Sequence, residues 1–419
     1  MSKPDRRQLN LGFIPLNDCA PLAVAKAHGF FEDEGLEVEL SREASWANVR
    51  DKIAVGALEG GHLLAPMALA ASMGVGGERT PLTVPLSLNL NGSAITLSTG
   101  LIKAMWEADP EMMARRPRSA RPLARVIAAR REAGERPLTL AVVFAYSMHA
   151  YELRYWLAAA GVDPDRDLRL VVAPPPRMTE RLRAGEIDGF CVGAPWNAIA
   201  VAEGLGEIIV RASEIWPMGP DKVLGVTQAW ANAHPQALQA LIRALSRAAA
   251  WADTPANRPA LARLLARPEF VGEPEALIAQ SLAPPADGGD EARPQADIVF
   301  HRHAAGFPWR SHALWFLSQM LRWGQIGPEI DLQAVATSVY RPDLFRSAIQ
   351  PLGEPVPMGD RKREGAHPQP WRLEDASGPI LMAPDVFLDG RVFDPEKPLA
   401  YACDFEIGRY TGGSEDTTA

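Results

Sequence analysis

Short apolar segments of strand length alternate with helix-like segments over the first two thirds of the chain. Residues 9–15 and 36–40 have strand patterns, and each is followed by a segment with a helix pattern, 21–31 and 48–58. A repeated strand–helix order is typical of a mainly parallel sheet that has helices on its faces. We therefore expect an α/β fold.

The middle third of the chain repeats this order. We predict strands at 138–144, 168–173, 187–192, 207–212 and 222–227, and helices at 151–160, 178–184 and 235–254. The last third is less regular, with a loop at 284–290, a helix at 311–323, a surface segment at 353–369 and a tail at 406–419. A length of 419 residues provides for two to three domains.

Composition and motifs exclude several classes of function. The chain has 43 Lys and Arg against 51 Asp and Glu, a net charge of −8, so a nucleic-acid-binding face is not expected. No apolar run reaches the roughly 18 residues that span a bilayer. The phosphate-binding and nucleophile-elbow motifs are absent from the sequence. His301, His303 and His312 lack an accompanying carboxylate pattern, so we expect neither a metal nor a cofactor.

The N-terminal sequence gives an expectation for the cellular location of the protein. A short polar stretch, residues 1–8, precedes the first predicted strand and leaves no room for a secretory signal. We therefore expect a cytoplasmic protein, or a periplasmic one if a leader has been removed.

Three predicted strand-to-helix turns carry possible hydrogen-bond donors. They contain Trp46, His149 and Gly193. Free N–H groups at a helix start favour anions, although a Trp there can be a packing anchor and a His a helix cap. Several such turns together favour a cleft that binds a small anion.

Lys222 lies at the mouth of a predicted apolar strand, and Asp221 precedes it. Ligands of open α/β sheets bind near strand ends, which favours a binding role, whereas a solvated lysine is the alternative. His62 is a further polar candidate, with a supporting role in the core as its alternative.

The chain resembles the periplasmic-binding-protein-like receptors for nitrate, nitrite and bicarbonate. The matching segments are 11–15, 27–31, 45–51, 91–97, 149–161, 193–196 and 341–345. The resemblance implies a type II fold of two α/β lobes that close on one oxyanion. It implies a first lobe from residues 1–98 and 228–419, and a second from 99–227.

The resemblance also implies the ligand-binding residues. Trp46, His149, Gly193 and Lys222 match the receptor positions that hold the anion. Ser93 stands where the nitrate receptors have a Gln, and its hydroxyl is a shorter donor than an amide. Ser93 is therefore a candidate that departs from the nitrate-receptor pattern.

The departure at Ser93 and the short N-terminus together favour the cytoplasmic branch of this family. The resemblance then implies a nitrate or nitrite sensor without catalysis, which controls a separate RNA-binding antiterminator protein. One alternative is the substrate-binding protein of an ABC transporter for nitrate, nitrite or bicarbonate. A second is an enzyme of the pyrimidine-synthase type, for which Cys191 lies near Gly193.

Overall fold

The computed structural model describes residues 7–283 and 298–410. Within them, two five-stranded sheets have the strand orders β2-β1-β3-β10-β4 and β7-β6-β8-β5-β9, and β11 pairs with β12. The strands are β1 (Arg7–Phe13), β2 (Leu36–Arg42), β3 (Gly60–Leu64), β4 (Leu82–Leu90), β5 (Ser93–Ser98), β6 (Thr139–Val142), β7 (Arg169–Val172), β8 (Gly189–Gly193), β9 (Gly206–Arg211), β10 (Pro220–Thr227), β11 (Trp371–Arg372) and β12 (Leu381–Met382).

Helices cover both large sheets. In the first half of the chain they are α1 (Ala20–Ala27), α2 (Phe30–Asp33), α3 (Trp46–Ala54), α4 (Ala65–Met73), α5 (Thr99–Ala108), α6 (Pro110–Ala114), α7 (Arg121–Glu132), α8 (Met148–Ala158), α9 (Met178–Arg183) and α10 (Trp196–Ala202). The remaining helices are α11 (Ala212–Ile215), α12 (Gln228–Ala233), α13 (Pro235–Asp253), α14 (Arg258–Leu265), α15 (Glu275–Leu282), α16 (Arg310–Arg322), α17 (Leu332–Val339), α18 (Pro342–Ile349) and α19 (Pro398–Cys403).

Each large sheet has one strand that runs against the others. Strand β1 is parallel to β2 and β3, whereas β10 is antiparallel to both β3 and β4. In the second sheet β6 is parallel to β7 and β8, and β5 is antiparallel to β8 and β9. The predicted α/β fold with two mainly parallel sheets is therefore confirmed.

The two antiparallel strands are those that enter a sheet from the other lobe. Residues 91–92 lead from β4 into β5, and residues 216–219 lead into β10. These crossing segments are bonded to each other, because the Asn91 amide donates to the Gly219 carbonyl at 2.8 Å. The Gly219 amide in turn donates to Asn91 Oδ1 at 3.1 Å.

The crossing segments bear on the lobe boundaries. The boundaries expected at 98/99 and 227/228 would assign β5 to the first lobe and β10 to the second, whereas the sheets hold these strands the other way round. Each strand belongs to the sheet that it enters after the crossing. We propose boundaries at 91–92 and 216–219.

The C-terminal part of the first lobe also packs against the second lobe. The Tyr155 hydroxyl of α8 donates to the Asp389 carboxylate at 2.9 Å, and its ring stacks on Phe387 with centroids 5.8 Å apart. The predicted surface segment 353–369 is partly wrong, since Val356 is buried in a hydrophobic core of the first lobe and Glu364 is buried beside Ser311. The loop predicted at 284–290 and the end of the predicted tail, 411–419, lie outside the described residues.

In the described part of the chain, no helix combines the length and apolar character needed to cross a membrane.

Candidate functional site

Polar groups from both lobes meet where the carboxyl ends of several strands face the cleft. In open α/β sheets this is where ligands bind. The group, called the cleft cluster below, consists of Asp18, Trp46, His62, His149, Gly193, Asp221 and Lys222.

Lys222 is the centre of the cleft cluster. It lies on β10 and is fully buried. Its Nζ lies 2.8 Å from Asp18 Oδ2 and 2.5 Å from Asp221 Oδ2. Burial favours the neutral amine, but attraction by Asp18 and Asp221 outweighs burial and raises the pKa of Lys222. The side chain therefore carries a positive charge at neutral pH.

The two carboxylates differ in their surroundings. Burial favours the protonated acid at Asp18, but the charge of Lys222 and the His62 imidazole hold its pKa below the usual range. At Asp221 burial prevails over Lys222, and the nearby Asp18 charge adds to it, which raises its pKa to about 6. Asp18 is thus ionised, whereas Asp221 lies close to its titration range at neutral pH.

Trp46 is the first residue of α3. The Ser45 side chain caps this helix by accepting from the Asn48 amide at 3.2 Å. The buried Trp46 indole N–H has no hydrogen-bond partner within residues 7–283 and 298–410. Lys222 Nζ lies 5.6 Å from the centroid of the Trp46 ring, so the unpaired donor and the positive charge are neighbours.

His62, on β3, packs edge-on against the Trp46 ring, with centroids 5.0 Å apart. Its Nε2 is 3.0 Å from Asp18 Oδ1, a close contact that lacks the alignment of a hydrogen bond. Burial lowers the pKa of His62 even though Asp18 opposes the shift. His62 is therefore neutral and lies beside Asp18. Its two predicted roles, in the core and in ligand contact, both stay predictions.

His149 is the second residue of α8. Ser147 caps this helix and fixes its start, because its hydroxyl accepts from the Ala150 amide at 3.1 Å. Among the described residues neither ring nitrogen of His149 has a hydrogen-bond partner. Burial and then the Lys222 charge hold the pKa of His149 well below its ordinary value. A neutral imidazole donates one hydrogen bond and not two.

Gly193 ends β8 and brings bare backbone into the cluster. A Cβ atom at this position would lie 3.2 Å from Asp18 Oδ2 and 3.6 Å from His149 Nε2. The missing side chain therefore leaves the space between Asp18 and His149 free.

Ser93 stands next to the cluster. It faces Gly193 in the β5–β8 register, but its hydroxyl donates to Glu152 Oε2. Cys191 Sγ lies 3.8 Å from the same carboxylate oxygen. Ligand contact by Ser93 stays a prediction, since in this structure its donor is directed to Glu152.

The structure thus gathers Trp46, His149, Gly193 and Lys222 and adds Asp18, which the sequence analysis did not single out. Asp18 lies in the turn between β1 and α1, at the carboxyl end of a parallel strand. That position was a usable signal, because ligand-site residues of α/β sheets concentrate there.

The three histidines considered for a metal do not meet. His303 Nδ1 lies 2.8 Å from the Leu381 carbonyl, and His312 Nε2 lies 3.5 Å from Glu364 Oε1. In the described ranges no group of three or more His, Cys, Asp or Glu side chains is placed to hold a metal ion.

Comparison with known proteins identifies one matching family and several relatives whose names refer to nitrate. The model of the NMT1-like family matches residues 2–266. The nitrate/nitrite binding protein NrtA of Synechococcus elongatus is 32% identical over 95% of this chain and 86% of its own length. The nitrate import ATP-binding protein NrtC of Synechocystis is 36% identical over 97% of this chain, which spans only 56% of that relative.

The fold agrees with a solved relative. The crystal structure of the periplasmic nitrate-binding protein NrtA from Synechocystis superposes with a TM-score of 0.82 at 28% identity. The match covers 97% of this chain and all of that one, 100%.

Proposed function

The chain belongs to the NMT1-like family, and from that premise we propose that it binds nitrate or nitrite for an ABC-type importer. The observation that carries the proposal is the convergence of the Trp46 indole N–H, the His149 imidazole and the Lys222 ammonium beside the bare Gly193 backbone. Donors and one positive charge in a buried cleft suit a small monovalent oxyanion.

The burial of the donor groups supports a small ligand. The side chains of Trp46, His149 and Lys222 are almost completely buried, so the ligand position lies inside the closed cleft. A planar or bent oxyanion can accept from several of these donors at once, whereas a bulky substrate would require the lobes to stay apart. Nitrate and nitrite match the names of the relatives, and bicarbonate is the competing anion.

The transporter role takes first place over the sensor role. The relatives described above are named as binding or import proteins, which supports a component of an importer. Control of an antiterminator, the first interpretation of the sequence, stays a prediction, as does the cytoplasmic location. The solved relative is described as periplasmic.

A catalytic role is less well supported. The pyrimidine-synthase alternative needs a reactive Cys beside a His. Burial and the neighbouring Glu152 carboxylate raise the pKa of the Cys191 thiol well above its ordinary value, so the thiol is protonated. A protonated buried thiol is a poor nucleophile.

Deletion of the gene separates the two binding roles. The transporter role predicts that uptake of isotope-labelled nitrate or nitrite falls in the deletion strain and returns with the wild-type gene. The sensor role predicts normal uptake capacity with altered nitrate induction of the assimilation genes. Normal uptake in the deletion strain would contradict the transporter proposal.

A further inference from the structure

The cleft cluster contains more negative than positive groups. Lys222 contributes one positive charge. The carboxylates of Asp18 and Asp221 both contact its Nζ and contribute one negative charge each when they are ionised. All three side chains are buried. When both carboxylates are ionised and the histidines are neutral, the cluster has a net charge of −1 before any anion arrives.

The groups that face the two carboxylates offer no second positive charge. Asp18 faces Lys222 from β10, His62 from β3 and His149 from α8. Asp221 faces Lys222 and, across it, Asp18, and the Asn89 side chain of β4 and the Cys191 thiol of β8 lie near it. Both histidines are neutral because burial lowers their pKa values.

A bound monovalent anion would therefore change the net charge of the cleft cluster from −1 to −2. Burying charge without a partner is costly, and a buried site responds by changing its protonation. The cluster has two acceptors for a proton, since Asp18 Oδ1 and Asp221 Oδ1 lack hydrogen-bond partners in the described part of the chain.

Resting on the proposed function, we infer that the pair of carboxylates beside Lys222 takes up one proton when an oxyanion binds. Asp18 and Asp221 are then binding residues, and the ligand is an oxyanion together with a proton. The protonated carboxyl gains an O–H donor, which can point to the anion, and Lys222 can then share its charge with the anion.

Asp221 is the better acceptor of the proton. Its pKa is already raised to about 6, so little further change is needed for protonation at neutral pH. Asp18 keeps the ion pair with Lys222 at 2.8 Å. The protonated form of the free protein binds the anion, so affinity is constant below this pKa and falls as the pH rises above it.

The test measures nitrate and nitrite binding by calorimetry from about pH 6 to about pH 8, in two buffers with different ionisation enthalpies. For the wild-type chain we expect uptake of about one proton per anion at the alkaline end. Because proton uptake and pH dependence are thermodynamically linked, we also expect the Kd to increase by up to about tenfold per pH unit. A proton count near zero with a flat Kd would overturn the inference.

Substitutions identify the proton acceptor. Asp221→Asn keeps the shape and removes the negative charge, so we expect tighter binding at about pH 8 and loss of the proton uptake. Asp18→Asn is the second variant, in case Asp18 accepts the proton. The control is Asp51→Asn, an exposed aspartate on α3, which should keep the wild-type pH profile.

Substitution of the histidines tests whether a histidine, and not a carboxylate, accepts the proton. If His62→Gln or His149→Gln removes the proton uptake while both Asn variants retain it, the carboxylate pair is not the acceptor and the inference is wrong. Failure of the proposed function looks different, because the wild-type chain would then bind neither nitrate nor nitrite at any pH tested.

Discussion

At the scale of single residues, the site depends on a buried lysine that is stabilised by two carboxylates. The contacts of Lys222 with Asp18 and Asp221 offset the cost of burying its charge. The same contacts give Lys222 a structural role beside its proposed role as a ligand group. Its removal therefore affects affinity and stability together.

We predict that Lys222→Ala weakens nitrate or nitrite binding by roughly 10- to 150-fold, since a charge-assisted hydrogen bond contributes about 1.5–3 kcal/mol. It should also lower the free energy of unfolding by about 3–5 kcal/mol, because two buried carboxylates lose their partner.

The pH dependence of this variant has a definite sign. Without Lys222, burial raises the pKa values of both carboxylates in the folded state above their unfolded values, so the folded protein binds more protons. The stability of the variant should then decrease as the pH rises, more steeply than that of the wild type. Denaturant unfolding at acidic and alkaline pH measures this, and parallel pH profiles would contradict the ion-pair interpretation.

Trp46 tests the role of a neutral donor. Trp46→Phe keeps an aromatic ring against His62 but removes the unpaired indole N–H. We predict weaker anion binding by about 2- to 12-fold, equivalent to roughly 0.5–1.5 kcal/mol for one neutral hydrogen bond. Stability should change little.

The matched control is Trp371→Phe. The Trp371 N–H also lacks a hydrogen-bond partner among the described residues, but this residue lies on β11, outside the cleft cluster. Calorimetry should give wild-type affinity for it. Equal affinity losses in the two variants would mean that the Trp46 donor has no specific role.

At the scale of elements, the proposed ligand groups lie where strands end and helices start. Trp46 and His149 occupy the first turns of α3 and α8, and serine side chains cap both helices. Gly193 ends β8 in register with Ser93 of β5. The site therefore depends on how capped helix starts and one strand end are held together.

We predict that Gly193→Ala weakens anion binding, because the added methyl group would enter the space 3.2 Å from Asp18 Oδ2. Overpacking costs about 1–3 kcal/mol, which corresponds to roughly 5- to 150-fold in Kd. The control is Gly100→Ala on α5, where a Cβ would meet no atom within 4 Å. Wild-type affinity in Gly193→Ala would show that the anion does not bind over this strand end.

Sequence patterns predicted much of this arrangement. The strands that became β1 and β8 and the helix that became α8 follow from apolar runs and turn residues, within a few residues at each end. The direction of the Ser93 hydroxyl toward Glu152 was not predictable, because it depends on the pairing of β5 with β8. The pairing of Asp18 with Lys222 joins residues far apart in the chain, and spacing contains no information on such a contact.

At the scale of the whole molecule, hydrogen bonds join the lobes across the cleft. The backbone N–H of Asn17 donates to the Ala194 carbonyl at 2.8 Å, and Trp196 Nε1 donates to the Pro15 carbonyl at 3.3 Å. Both bonds connect the turn after β1 with the turn after β8. These bonds hold Asp18 close to Gly193, so we expect anion binding at the cleft cluster to depend on the arrangement of the lobes.

We predict that Trp196→Phe weakens anion binding by about 2- to 12-fold without touching the proposed ligand groups, because it removes one hydrogen bond of the closed form. Small-angle scattering should show a larger radius of gyration for the free variant than for the free wild type. The control is Trp156→Phe, whose indole donates to the Arg118 carbonyl within the second lobe. A similar affinity loss in the control would contradict a role for this closure contact.

The most direct test of the central claim is calorimetric titration of the purified chain with nitrate, nitrite and bicarbonate at slightly acidic pH, for the wild type and for Gly193→Ala. The claim that the cleft cluster binds one small oxyanion predicts saturable binding of nitrate or nitrite with one site per chain. It also predicts clear weakening in Gly193→Ala and no change in Gly100→Ala. Absence of binding by all three anions, or equal affinity in the wild type and Gly193→Ala, would contradict the claim.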